Sequence, residues 1–334
     1  MLVLYKSLKK IPFALSFIIL FIFDISLFAN NLPEKNILEK VSLKEEKNGK
    51  FENLDLNKID ILLKEANNEE NAGNNTRAIK IYLVILNYFE LNYEIEGSFF
   101  SNFLSRLAGL YFDEELYDES EKIFIRSLKI REKDIENNEL DTAQDLSYLA
   151  RINFIKNKIT IAEDQFLKSF AIRERILGLN NSVTSDSILY LGRIYHSRGL
   201  YRKAEKYYLQ ALKIKEKILN SSHIEIAEIN HDIGDLYRNE GLYDKSEYYY
   251  LKAISIYEKN EKFNNEENYY VTFLYGKTIG YLGTLYAQQG NYKKAEPLML
   301  KALKIKKKYL GSEYNLTIQG QINDLGLVYL SQGL

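Results

Sequence analysis

One five-residue block recurs along this chain at a fixed spacing, and that repetition restricts the fold more than any other feature. Leu107-Ala108-Gly109-Leu110-Tyr111, Leu149-Ala150-Arg151-Ile152-Asn153, Leu191-Gly192-Arg193-Ile194-Tyr195 and Ile233-Gly234-Asp235-Leu236-Tyr237 follow one another at intervals of 42 residues. Leu282-Gly283-Thr284-Leu285-Tyr286 comes 49 residues later, and Leu325-Gly326-Leu327-Val328-Tyr329 another 43 on. The seven extra residues fall near Asn260 to Asn268, a polar stretch suited to a loop. A period of this length marks stacked units, each too small to bury its apolar face alone.

The second half of each unit keeps the same register. Twelve positions after the small residue of the block stands another small one: Ser120, Ala162, Ala204, Ser246 and Ala295. Seven further on come Ser127, Ser169, Ala211, Ala253 and Ala302, with Phe124, Phe166, Tyr208, Tyr250 and Met299 in between. Apolar residues at three- and four-residue steps predict two amphipathic helices per unit. Small residues let those helices approach, and the bulky one fills the space they leave. Gly199, Gly241, Gly290 and Gly333 lie seven residues after the small residue of the first helix, where glycine ends a helix in the left-handed conformation. Gly73 holds that place in a weaker upstream copy marked by Ala66, Ala78 and Tyr82.

This pattern resembles the tetratricopeptide repeat, and more closely the 42-residue variety of kinesin light chains. The segment LGTLYAQQGNYKKAEPLMLKALKI, Leu282 to Ile305, carries the likeness best, with its Ala295-Glu296-Pro297-Leu298 step. SSHIEIAEI, Ser221 to Ile229, is similar to that family's link between repeats. The likeness covers 58–334, divided as a degenerate copy at 58–98, full repeats at 99–140, 141–182, 183–224, 225–273 and 274–316, and an incomplete one at 317–334. It implies an all-α fold, a right-handed α-solenoid of antiparallel helix hairpins whose first helices line a concave groove. In kinesin light chains an asparagine pair in that helix grips an extended peptide. The matching pairs here are Ser105-Arg106, Ser147-Tyr148, Leu189-Tyr190, His231-Asp232, Gly280-Tyr281 and Asn323-Asp324, of which only the last is similar. The candidate groove contacts are therefore Arg106, Tyr148, Tyr190, His231, Asp232, Tyr281 and Asn323. Tyr148, Tyr190 and Tyr281 form an aromatic strip if exposed, and inter-hairpin packing if not.

Composition narrows the function classes. Lys and Arg number 45 against 46 Asp and Glu, without the basic excess of a nucleic-acid binder. There is no cysteine, which excludes disulfides, zinc thiolates and cysteine nucleophiles. The three histidines, His196, His223 and His231, show no metal-ligand spacing and read as surface or loop residues. No G-x-S-x-G elbow, Walker loop or G-x-G-x-x-G occurs, and acid pairs such as Glu114-Glu115 read as solvated charge. No catalytic residue, metal or cofactor is expected. Lys301, Lys304, Lys306, Lys307 and Lys308 crowd one helix end, and milder runs recur at Lys213-Lys215-Lys217 and Arg173-Arg175. Their recurrence reads as complementing helix dipoles, ahead of an anion site.

The N-terminus reads as an address. Lys6, Lys9 and Lys10 precede the apolar run Ile11 to Phe23, and Leu27-Phe28-Ala29 offers a cleavage site, in the order of a secretory signal peptide. Left uncleaved, residues 11–29 would anchor the chain, its one expected membrane contact. Both outcomes put the array on the exported side of a bacterial envelope. Residues 30–57 read as a polar tether.

The last repeat stops after its first helix, which implies a truncated product or a partner that covers the open face. Two functions follow. One is a non-catalytic scaffold that binds a peptide or protein in the concave groove. The other is the recognition arm of a larger protein, since similar bacterial arrays often precede an effector such as a caspase-like peptidase. A cytoplasmic adaptor, with the apolar run as a packing helix, is a third.

Overall fold

The computed structural model describes residues 56–93, 96–133, 138–259, 269–310 and 316–331. The export segment expected at 1–29, most of the tether at 30–57, the loop at 260–268 and the stop at Gly333 lie outside the described residues. Those residues form thirteen helices and no strand: α1 Leu56–Asn71, α2 Asn75–Asn92, α3 Gly97–Asp113, α4 Tyr117–Arg131, α5 Glu139–Ile155, α6 Ile159–Leu177, α7 Ser182–Ser197, α8 Tyr201–Ile218, α9 Ile224–Asn239, α10 Tyr243–Lys259, α11 Tyr269–Gln288, α12 Tyr292–Leu310 and α13 Leu316–Ser331. They fall into two compact units, one ending at Ile172 and one beginning at Arg173. Odd-numbered helices are the first of each hairpin and even-numbered helices the second.

The α7–α8 hairpin shows how the sequence builds each unit. The Asn181 side chain accepts the Val183 N–H at 2.9 Å and caps the start of α7. At the other end Gly199 sits at φ 69°, the left-handed region, with its N–H on the His196 carbonyl. The Leu200 N–H bonds the Tyr195 carbonyl at 2.9 Å, completing a Schellman stop, and α8 begins one residue later. The acceptor at this stop is the last residue of the recurring block.

The same stop closes α3 and α5, but there the left-handed position holds Glu115 (φ 59°) and Asn157 (φ 58°). Asparagine tolerates this conformation, whereas glutamate carries the full clash of its Cβ. Glu115→Gly is therefore expected to stabilise the α3–α4 hairpin by about 0.5–1 kcal/mol, net of glycine's greater unfolded-state freedom. Hydrogen exchange in α3 and α4 measures this, and faster exchange in the variant would refute it.

Between paired helices the small–bulky register is a steric fact. A Cβ added to Gly192 would come within 2.6 Å of the Tyr208 ring, one on Gly234 within 2.7 Å of Tyr250, and one on Gly283 within 2.7 Å of Met299. Where the partner is the slimmer Phe124, the first helix carries Ala108, and the two pack with Leu149 and Ile152. Where the second small residue is serine, its hydroxyl bonds a carbonyl across the hairpin, Ser120 to Ala108 at 2.8 Å and Ser246 to Gly234 at 2.7 Å. The alanines and glycines buy backbone proximity, and the serine hydroxyls use it.

The basic helix ends differ from the dipole reading. One cation in each run turns inward: Arg173 in α6, Lys215 in α8 and Lys306 in α12 are buried, while Arg175, Lys213 and Lys304 are exposed. Arg131 of α4 holds the same place. These residues tie neighbouring helices. Arg173 Nη1 bonds Ser187 Oγ at 2.8 Å, and Lys306 Nζ bonds Gln321 Oε1 at 3.1 Å. Lys215 Nζ reaches Ser182 Oγ and Asp186, and also pairs with Glu225. Burial alone would lower the Lys215 pKa, but Asp186 and Glu225 hold the ammonium charged and raise it.

Candidate binding face

In the unit ending at Ile172, the first helices α1, α3 and α5 border a cavity of about 310 Å³. Its rim carries two residues singled out from the sequence, Arg106 and Tyr148. Arg106 leaves α3 exposed and pairs with Glu70 of α1 at 2.7 Å, its guanidinium 6.0 Å from the Tyr82 ring centre. Tyr148 is half-buried on α5. Its ring stacks on Phe124 at 5.0 Å and meets the edge of Phe112 at 5.2 Å, with the Arg151 guanidinium at 5.3 Å. Asp113 stands on the same rim, and burial raises its carboxyl pKa against the pull of Arg151.

The floor is a buried polar network that sequence reading missed. Arg131 spends all five of its N–H donors. Nε reaches Asp145 Oδ2 at 3.1 Å, Nη1 reaches Asn138 and Asp141 at 3.3 Å each, and Nη2 reaches Asn102 at 2.7 Å and Ser105 at 3.1 Å. The hydroxyls of Ser127 and Ser105 lie 2.7 and 2.9 Å from the same Asp145 oxygen. The other, Oδ1, is buried and accepts no hydrogen bond among the described residues. Burial pushes the Asp145 carboxyl above its ordinary value, against Ser127, Arg131 and Ser105. The signal that could have revealed Arg131 is its period: Arg131, Arg173 and Lys215 are 42 residues apart.

In the unit beginning at Arg173, the remaining candidates fall into two contacts and one exposed residue. Tyr190 of α7 is half-buried beneath the Arg193 guanidinium at 5.0 Å, and Arg193 Nε bonds Asp232 of α9 at 2.7 Å. His231 is not the surface or loop residue that the sequence suggested. It is 5% exposed, its ring set edge-on to Tyr281 at 5.0 Å and tilted against Tyr250 at 5.6 Å. Its Nδ1 lies 3.2 Å from Thr278 Oγ1. Tyr281 is half-buried, with the Arg238 guanidinium 5.4 Å from its ring, and Asn323 is exposed on α13. Burial acts to raise Asp235, yet Arg238 at 2.5 Å holds its carboxyl down to about 2. Of the other histidines, His223 caps α9 by accepting the Glu225 N–H, and His196 accepts from Asn239 at 2.8 Å. Among the described residues no cluster of His, Cys, Asp or Glu is arranged to hold a metal, and no helix is long and apolar enough to cross a membrane.

Two family models, both described as tetratricopeptide repeat, match residues 100–175 and 184–259 in one case and 277–313 in the other, together more than half of the chain. No curated protein matches the sequence. Solved structures of similar fold include BtubC (BKLC) from P. vanneervenii, at TM-score 0.55 and 17% identity over 73% of this chain and 92% of that one. The apo form of RapI aligns at TM-score 0.57 and 17% identity, over 82% of this chain and 97% of its own. A Rap protein complexed with competence and sporulation factor aligns at TM-score 0.55 and 14% identity, over 82% and 86%. At these identities the likeness concerns the fold. With the family matches resting on the same hairpins that carry the 42-residue register, the chain is an all-α solenoid of helical hairpins and belongs to the tetratricopeptide-repeat family.

Proposed function

We propose that this chain is a non-catalytic scaffold that binds a peptide or protein segment on its first-helix face. The cavity bordered by Arg106 and Tyr148 carries this reading, because it joins a recess, a cation and an aromatic ring on the face where repeats of this family are expected to bind. A Rap protein of similar fold has been solved with competence and sporulation factor bound, which supports the reading by analogy of fold alone. The order of charge and apolar run in residues 1–29 supports action on the exported side of an envelope. Recovery of the intact chain from the cytosol alone would remove that part.

Photo-crosslinking tests the binding face. A photoreactive phenylalanine at Tyr148 or Tyr190 is expected to capture a partner from the native envelope, while the same group at exposed Leu167 on α6 is not. Tyr148→Ala should weaken binding of that partner by about 10- to 30-fold, the size expected for one interface anchor. Capture at Leu167 alone would reject the first-helix face.

A further inference from the structure

We infer that the cavity between α1, α3 and α5 receives a single ammonium or guanidinium group, supplied by a lysine or arginine side chain of the bound segment. This deepens the proposed function and rests on it.

Three observations lead to a cation. The first is charge. Glu70, Asp113, Asp141 and Asp145 line the cavity against two cations, Arg106 and Arg131. Both cations are already committed, Arg106 to Glu70 and Arg131 to its five acceptors. Arg131 keeps no unspent donor, and with four carboxylates against two cations an anionic ligand would face net negative charge. The second is the Asp145 Oδ1 atom. It belongs to a side chain only 1% exposed and stands without a hydrogen bond on a carboxyl whose other oxygen has three donors within reach. A buried acceptor left open in this way favours a ligand that brings a donor. The third is size. A space of about 310 Å³ corresponds to roughly ten waters at their liquid volume, which is ample for one long side chain and short of a folded element.

Tyr148 adds specificity. Its ring forms part of the wall, so the aliphatic stem of a lysine or the plane of an arginine meets aromatic surface on its way to the carboxylates. Asp113, on the rim with a raised pKa, gains a counter-ion when the cation enters and settles into its charged form. The shared chemistry is a positive nitrogen group, which a free amine could also supply, so the test separates a tethered side chain from a free one.

The experiment uses the detergent-solubilised full chain and two probes. Random twelve-residue peptides displayed on phage are selected for binding, and agmatine, a free amine with a guanidinium group, is titrated both directly and as a competitor. The expected result is enrichment of Arg or Lys at one fixed peptide position and competition by agmatine. The Asp113→Asn/Asp141→Asn variant should bind the selected peptides at least ten-fold more weakly, with its circular dichroism melt confirming an intact fold. Asp145→Glu, which keeps the charge that Arg131 needs, is the second variant and should shift the Arg-to-Lys preference. Peptides that cross-link to position 148 without basic enrichment, or that bind the variant equally well, overturn the cation inference and leave the binding-face reading standing. Peptides that cross-link only to second-helix positions overturn both. Saturable agmatine binding without any peptide selection would assign the cavity to a free amine and overturn the tethered source.

Discussion

Replacing Arg131 by methionine is expected to destabilise the α3–α5 region by about 3–5 kcal/mol, the loss typical of breaking a buried ion pair from one side. The side chain is 1% exposed and so is that of Asp145, so the variant leaves a carboxylate in the interior with only serine hydroxyls to hold it. Asn138, Asn102 and Asp141 lose the same guanidinium. Burial already pushes the Asp145 carboxyl upward, and without Arg131 it takes up a proton instead of staying charged. The double variant Arg131→Met/Asp145→Leu should recover most of the loss, since an apolar pair of similar volume often equals or exceeds a buried ion pair. Repeat arrays open locally, so the measurement is hydrogen exchange resolved to α3, α4 and α5 rather than one global melt. A single-variant loss below about 1 kcal/mol, or a double variant no better than the single, would show that the network is not what holds α4 to α5.

Much of the fold was legible because the same steric rule is written several times. A small residue opposite a bulky one, repeated at 42, is hard to produce by any other architecture, and Gly192–Tyr208 and Gly234–Tyr250 realise it as contacts that admit no Cβ. What the sequence hid were exceptions to residue-type rules. Glu115 and Asn157 take the left-handed position without being glycine, because the flanking carbonyls on Tyr111 and Asn153 still receive their Schellman bonds. The buried cations were masked by their neighbours. In Lys213-Lys215-Lys217 only the middle residue lies on the inward stripe, and a run of three cations at a helix end reads first as dipole complementarity. Of the candidate contacts, Arg106 and Tyr148 meet at one cavity, whereas the polar floor beneath them depends on Arg131 reaching forward from a second helix, a relation between repeats that no single motif displays.

The second large effect concerns pH in the unit beginning at Arg173. His231 is enclosed by Tyr250, Tyr281 and Thr278, and burial, with Lys277 nearby, lowers its pKa to about 3, against the pull of Asp232 and Asp235. Above pH 6.5 the imidazole is neutral in both folded and unfolded chains and contributes no pH dependence. Below it the unfolded chain binds a proton that the folded chain refuses, so stability falls by about 1.4 kcal/mol per pH unit until the folded pKa is reached. Asp324 on α13 has the opposite sign. Burial raises its pKa to about 6, so the stability it contributes is full below its ordinary pKa of 3.8 and is lost as pH rises through 6. Between pH 4 and 6 the two slopes oppose each other, and the intact protein should show a flatter acid response than either group alone would give. Single variants separate them. Relative to wild type, His231→Phe should gain about 1.4 kcal/mol per unit as pH falls from 6 to 4, and Asp324→Asn should lose a comparable amount over the same range. Urea titrations at pH 4, 5, 6 and 7, read by hydrogen exchange in α9 and α13, resolve both. A His231→Phe difference that stays constant with pH would mean that the folded protein accepts the proton, and that the ring between the two tyrosines opens to water before the helices do.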